Sequence, residues 1–268
     1  MLFAWLLHRG SPIAFSQSQA AAEAPSTVAS PAEVSGERVQ LTYNQWLDVL
    51  KQEARVAAEK QPPQLVVLAG DSLSLWFPAE LLPQPYTWLN QGISGETSYG
   101  LLRRINLLDD TKPEIVFVLI GINDLIRGVK GVTLVANQQE IVRHLKRVHP
   151  KARIVLQSLL PHGGSRVLEK YGATVFANRP IPKWVYRLPD IPNSQIRKLN
   201  QKLALVAEAE GVEYLDLHPL FTDVNGDLLT HLSADGLHLN RQGYEVWRNE
   251  LQKKAEAKSD ATVLERSP

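Results

Sequence analysis

Four short segments of the 268-residue chain carry groups able to do chemistry. Gly70-Asp71-Ser72-Leu73-Ser74 directly follows an apolar run at 65–69. A serine at a sharp strand-to-helix turn exposes its hydroxyl and leaves its backbone N–H free at the helix start; helix capping is the structural alternative. Gly92-Ile93-Ser94-Gly95-Glu96-Thr97 offers a backbone that a reacting centre can approach closely, with the Gly95 N–H as an oxyanion donor; the alternative is a glycine-rich turn. Gly121-Ile122-Asn123-Asp124 places an amide where its N–H can meet a developing oxyanion, which a carboxylate could not do, although Asn and Asp also suit plain turns. In Asp235-Gly236-Leu237-His238-Leu239-Asn240 the Asp can accept from the imidazole Nδ1–H, fixing the tautomer and aiming Nε2 at a nucleophile. A solvated turn is the alternative there.

The elements between these segments explain how they could meet. Continuous apolar runs at 65–69, 115–120 and 153–156, with weaker ones at 86–89 and 212–217, read as strands, the strongest of them covered on both faces. Helical periodicity at 98–108, 133–148, 194–210 and 241–254 alternates with them. Such alternation predicts an α/β fold, a parallel sheet built from right-handed crossovers, with working groups at the carboxyl ends of the strands. Residues 1–40 read as a flexible leader, 41–61 as an amphipathic helix (Trp46, Leu47, Leu50 and Val56 on one face), 62–256 as the main domain and 257–268 as a tail.

Taken together and in order, the four segments resemble the SGNH hydrolases, also called GDSL-type esterases and lipases. Gly70 to Ser74 is similar to that family's nucleophile block, Gly95 to its glycine block, Gly121-x-Asn123-Asp124 to its asparagine block, and Asp235-x-x-His238 to its last block. The resemblance runs from about 64 to 251. It implies a three-layer, flavodoxin-like fold with a central five-stranded parallel sheet and no cofactor. It further implies Ser72 as nucleophile, His238 as general base and Asp235 as its orienting carboxylate. The oxyanion hole would be formed by the N–H groups of Ser72 and Gly95 and the side chain of Asn123. The implied reaction is hydrolysis of carboxylic esters through an acyl-serine, with carbohydrate O-acetyl esters, acyl transfer to an alcohol, or a non-catalytic binding module as alternatives.

One connection, 161–193, is long for a compact domain and contains five prolines and four aromatic residues. It carries five basic residues against two acidic ones, and Arg179, Lys183, Trp184 and Tyr186 are candidates for a substrate-binding wall that tolerates an anionic ester. Other chemistries fit less well. There is no cysteine, hence no thiol catalysis or cysteine-ligated metal, and no phosphate-binding loop, dinucleotide fingerprint or His-Glu-x-x-His. Ser94 lacks the second glycine of a Gly-x-Ser-x-Gly elbow, and the acidic turn 223–227 has Ala234 where a calcium loop needs a glutamate. A net charge of +1 gives no broad footprint for nucleic acid. The expected partner is a small-molecule, lipid or carbohydrate ester. No stretch is long and apolar enough to span a membrane. The leader lacks the basic start of a secretory signal, so a cytoplasmic address is expected, with export or tethering through residues 1–24 as the alternative.

Overall fold

In the computed structural model the described residues are 41–257 except 179. The expected leader and the tail beyond 257 lie outside them, as does Arg179. Five parallel strands form one sheet: β1 (Leu65–Gly70), β2 (Thr87–Gly92), β3 (Ile115–Leu119), β4 (Arg153–Gln157) and β5 (Glu213–Leu215), in the order β2-β1-β3-β4-β5. The α/β class, the strand number and the all-parallel direction are those the sequence implies. The α-helices are α1 (Tyr43–Lys60), α2 (Ser72–Leu75), α3 (Ser98–Arg104), α4 (Ile122–Ile126), α5 (Gly131–Val148), α6 (Val167–Tyr171), α7 (Asn193–Glu210) and α8 (Arg241–Glu256).

The sheet divides the core in two because successive side chains of a strand point to opposite faces. Val67, Ala69, Val116, Val118, Ile154 and Leu156 pack against α3, α5 and α7. Val66, Leu68, Phe117 and Val155 face the other way, onto Phe77, Trp88 and the Tyr244, Trp247 and Leu251 face of α8. This two-sided burial is why β1 and β3 contain no polar side chain. At the sheet's edge β2 does contain them, and the amides of Asn90 and Gln91 donate hydrogen bonds. Asn90 donates to the Ser74 carbonyl at 2.5 Å and accepts from the Gly92 N–H, while Gln91 donates to the Leu50 carbonyl of α1.

Some elements depart from the sequence expectations. β2 begins one residue later and runs three residues further than the apolar pattern at 86–89, because the bonded Asn90 and Gln91 continue the ladder. The helix expected over 98–108 is α3 followed by a 3-10 turn, and β5 is shorter than 212–217. The connection 161–193 is more ordered than a loop. It contains α6 and two 3-10 turns, and buries Val167, Tyr171, Phe176, Val185 and Leu188 in the core. Its ends are tied together: the Asn193 side chain accepts from the His162 N–H and donates to the His162 carbonyl. α1 starts at a capping box between Thr42 and Gln45 and packs Leu50, Ala54 and Ala57 inward. Among the described residues no helix is long and apolar enough to cross a membrane.

Candidate active site

All four motif segments emerge at the carboxyl ends of strands or lean over them. Gly70 closes β1, and Asp71 caps the four-residue α2 by accepting from the Leu73 N–H at 3.0 Å, which puts Ser72 at the first helical position. The Asn240 side chain caps α8 just beyond His238. Tyr244, one turn into α8, donates its hydroxyl to the Leu73 carbonyl at 3.1 Å, so α8 is fastened directly to the turn bearing Ser72. The consequence is close apposition of residues 166 apart in sequence: Ser72 Oγ lies 3.1 Å from His238 Nε2. On the other side of the ring, His238 Nδ1 lies 2.8 Å from Asp235 Oδ2.

That second contact decides the tautomer. A carboxylate accepts, so Nδ1 carries the proton and Nε2 presents a lone pair to the Ser72 hydroxyl. Asp235 is itself fixed, its Oδ1 accepting the N–H groups of Leu237 and His238. Burial pushes the Asp235 carboxyl up, but the His238 ring and these backbone donors outweigh it and hold the group below its ordinary range, as a carboxylate. Two indoles bracket the imidazole: Trp76 at 4.3 Å between centroids, tilted, and Trp184 at 5.7 Å, edge-on.

The donor side is built by two turns. Gly95 sits at φ +75, inside a turn closed by the Glu96 N–H on the Ile93 carbonyl, a conformation that suits glycine. Among the described residues neither the Ser72 N–H nor the Gly95 N–H has an acceptor. Asn123, in the first turn of α4, donates to the Glu96 carbonyl at 3.0 Å and faces Asp71 Oδ2 at 3.5 Å, so one of its two N–H bonds is only weakly engaged. Asp124 beside it accepts from the Ser98 N–H and hydroxyl, locking α3 to α4; burial raises its pKa against those bonds. Asp71 is completely buried, and desolvation raises its pKa to about 7 despite the Leu73 N–H.

The structure therefore brings Ser72, Asp235 and His238 together, with Gly95 and Asn123 linked to them through Glu96 and Asp71. Of the suggested substrate loop it brings Trp184 to the imidazole. Lys183 and Tyr186 are exposed and make no hydrogen bond, ion pair or ring contact among the described residues. Four positions that sequence reasoning missed also shape the site. Trp76 packs tilted against His238, Asn90 and Tyr244 hold the carbonyls of α2, and Arg127 donates to the Gly95 carbonyl at 2.7 Å. None lies in a recognisable motif; each is identified by a contact between distant segments. Chemically, the arrangement can transfer a proton from a hydroxyl to an imidazole beside free N–H donors.

Comparison with known proteins agrees. The family model described as the GDSL-like lipase/acylhydrolase family matches residues 69–246. The rat platelet-activating factor acetylhydrolase IB subunit alpha1 is 28% identical over 206 residues, spanning 74% of this chain and 77% of that protein. An arylesterase of Vibrio mimicus is 28% identical over 131 residues, covering 43% and 66% of the two chains. The solved structure of a GDSL-like lipase from Bacteroides thetaiotaomicron superimposes with a TM-score of 0.63 at 21% identity, over 79% of this chain and 98% of that one, which establishes the shared fold. With the family match extending from the end of β1 into α8, this chain belongs to the GDSL-like lipase/acylhydrolase family of hydrolytic enzymes.

Proposed function

We propose that the protein is a serine esterase that cleaves carboxylic esters of small molecules through an acyl-serine intermediate. Ser72 Oγ attacks the ester carbonyl while its proton passes to His238 Nε2, and Asp235 stabilises the imidazolium. The tetrahedral oxyanion is received by the N–H groups of Ser72 and Gly95 and by the weakly engaged N–H of Asn123. Collapse expels the alcohol, protonated by His238, and leaves the acyl group on Ser72. Water then repeats the sequence, giving up its proton to His238 and releasing the acid.

The observation that carries this reading is the unbroken chain from Ser72 Oγ through His238 to Asp235, at 3.1 and 2.8 Å. The names of the relatives, an acetylhydrolase and an arylesterase, support acyl esters as the substrate class. The test is a series of p-nitrophenyl esters from acetate to long chains, with Ser72→Ala as the blank and fluorophosphonate labelling as a second readout. Release from the short esters by the wild type alone, with labelling of Ser72, is the expected result. Activity that survives Ser72→Ala would overturn the mechanism. Ester product on addition of an alcohol would redirect it to acyl transfer, and a steep preference for acetylated sugars to a carbohydrate deacetylase.

A further inference from the structure

Beside Gly95 lies a cavity of about 800 Å³, walled by Tyr43, Glu96, Tyr99, Arg103, Arg104 and Arg127. Its charges do not cancel. Arg104 and Glu96 are both buried and paired at 2.9 Å, and Arg104 further spends its guanidinium on the carbonyls of Gly70 and Gln91. That pair is structural. Arg103 and Arg127 are exposed at the cavity, and among the described residues neither has a carboxylate within ion-pair distance. Among the described residues Arg127 binds the Gly95 carbonyl alone, which leaves most of its five N–H donors uncommitted. One wall belongs to α1: Tyr43 donates its hydroxyl to Glu96 at 3.3 Å, and Leu47 lines the cavity beside it. This helix lies outside the residues that the family model matches.

Two guanidiniums without an ion-pair partner among the described residues, sharing a cavity wall with the rings of Tyr43 and Tyr99, have the chemistry to take a planar or tetrahedral oxyanion attached to an organic group. The cavity's position matters more than its charge. Gly95 belongs to the cavity wall and binds Arg127 through its carbonyl, while its N–H is an oxyanion donor in the proposed mechanism, so the cavity borders the proposed oxyanion site through one shared residue. The basic residues of the 161–193 connection are less suited to that task. Arg187 is paired with Asp190 at 3.2 Å and Arg166 with Asp227 at 3.7 Å.

We propose that this cavity binds an anionic group of the ester substrate, a carboxylate or a phosphate, through Arg103 and Arg127. The proposal rests on the esterase reading for its catalytic consequence but not for binding itself, and the experiment separates the two. Phenyl phosphate is titrated calorimetrically into the full-length Ser72→Ala protein, then into the same protein carrying Arg103→Glu or Arg127→Gln. Binding that weakens tenfold or more in each, and weakens as salt rises, is the expected result. In parallel, kcat/KM is compared for phenyl acetate, 4-acetoxybenzoate (anion on the alcohol side) and p-nitrophenyl monosuccinate (anion on the acyl side). The anionic-to-neutral ratio should fall about tenfold in the Arg103→Glu enzyme, through KM, for whichever side enters the cavity. Phosphate binding without any ester turnover would sink the esterase reading and leave the cavity's role standing. Ester turnover whose ratios ignore both substitutions, with phenyl phosphate affinity unchanged, would overturn this inference and leave the esterase intact. Arg103 is on the surface, so its replacement spares the core; thermal melts of both variants confirm that each is folded.

Discussion

Gly92→Ala is the sharpest probe of how the sheet positions the reaction. Gly92 ends β2, in register with Gly70 of β1, and the first turn of α2 lies directly on it. A Cβ at this position would come within 2.7 Å of the Asp71 carbonyl oxygen and 2.8 Å of Leu75 Cα, and closer still to the Leu75 nitrogen. All three are backbone atoms, so no side chain can rotate away. Restoring ordinary contact requires a shift of about 0.7 Å or more between β2 and α2. Ser72 rides on that helix, and a 3.1 Å contact with His238 lengthened by so much falls outside hydrogen-bond geometry. Misplacement of about 1 Å costs about a hundredfold, so kcat/KM for p-nitrophenyl acetate should fall about 30- to 100-fold, or about 2 to 3 kcal/mol. Overpacking should also lower stability by about 1 to 3 kcal/mol. Gly211→Ala controls for the stability loss: Gly211 caps α7 at φ +63 with nothing within 4 Å of a Cβ, so it should cost about 1 kcal/mol without slowing the reaction. A folded Gly92→Ala enzyme with kcat/KM within about twofold of wild type would refute the claim that this glycine sets the position of Ser72.

Three further outcomes are expected. Asp235→Asn should cut kcat by about 10³- to 10⁴-fold, because an amide can donate to Nδ1 and favour the wrong tautomer; stopped assays with a fluorophosphonate titration of active sites will show it. Asn123→Ala should lower kcat by about 10²- to 10³-fold with little change in KM, if its amide serves the transition state rather than the ground state. Asp71→Asn tests the buried carboxyl through stability. Its folded pKa of about 7 exceeds the ordinary value of 3.8, so the folded state binds the proton more tightly and this group's contribution is lost as pH rises from about 4 to 7. The variant lacks that slope, so urea melts should show its stability rising relative to wild type by about 2 to 3 kcal/mol between pH 5 and pH 8, and an unchanged difference would contradict the burial argument.

The sequence carried the parts of this architecture that depend on local pattern. β1 and β3 are legible because burial on both faces leaves unbroken Leu, Val and Ile runs, and α5 and α7 because their apolar stripes repeat at helical spacing. Ser72, Asp235 and His238 are legible because cap and turn chemistry confines them to short signatures. The four-residue α2 and five-residue α4 carry too few residues for any periodicity, and short helices owe their stability to packing. Asn90 and Gln91 read as the end of a strand, yet side-chain bonds to Ser74 and Leu50 let β2 continue through them. Phe176 and Leu188 gave no regular pattern in a proline-rich stretch, although both are buried. Trp76 and Arg127 acquire their roles only through His238 and Gly95, residues far away along the chain.

The clamp between the Tyr244 hydroxyl and the Leu73 carbonyl has a consequence for the timing of biosynthesis. A ribosome releases the hydroxyl of residue 72 well over a hundred residues before the imidazole at 238 emerges, and the helix that fastens the two together comes last of the elements among the described residues. On the proposed mechanism, a nascent polypeptide keeps Ser72 apart from its base until that helix docks. Trimming the protein back into that helix should abolish turnover abruptly rather than by degrees.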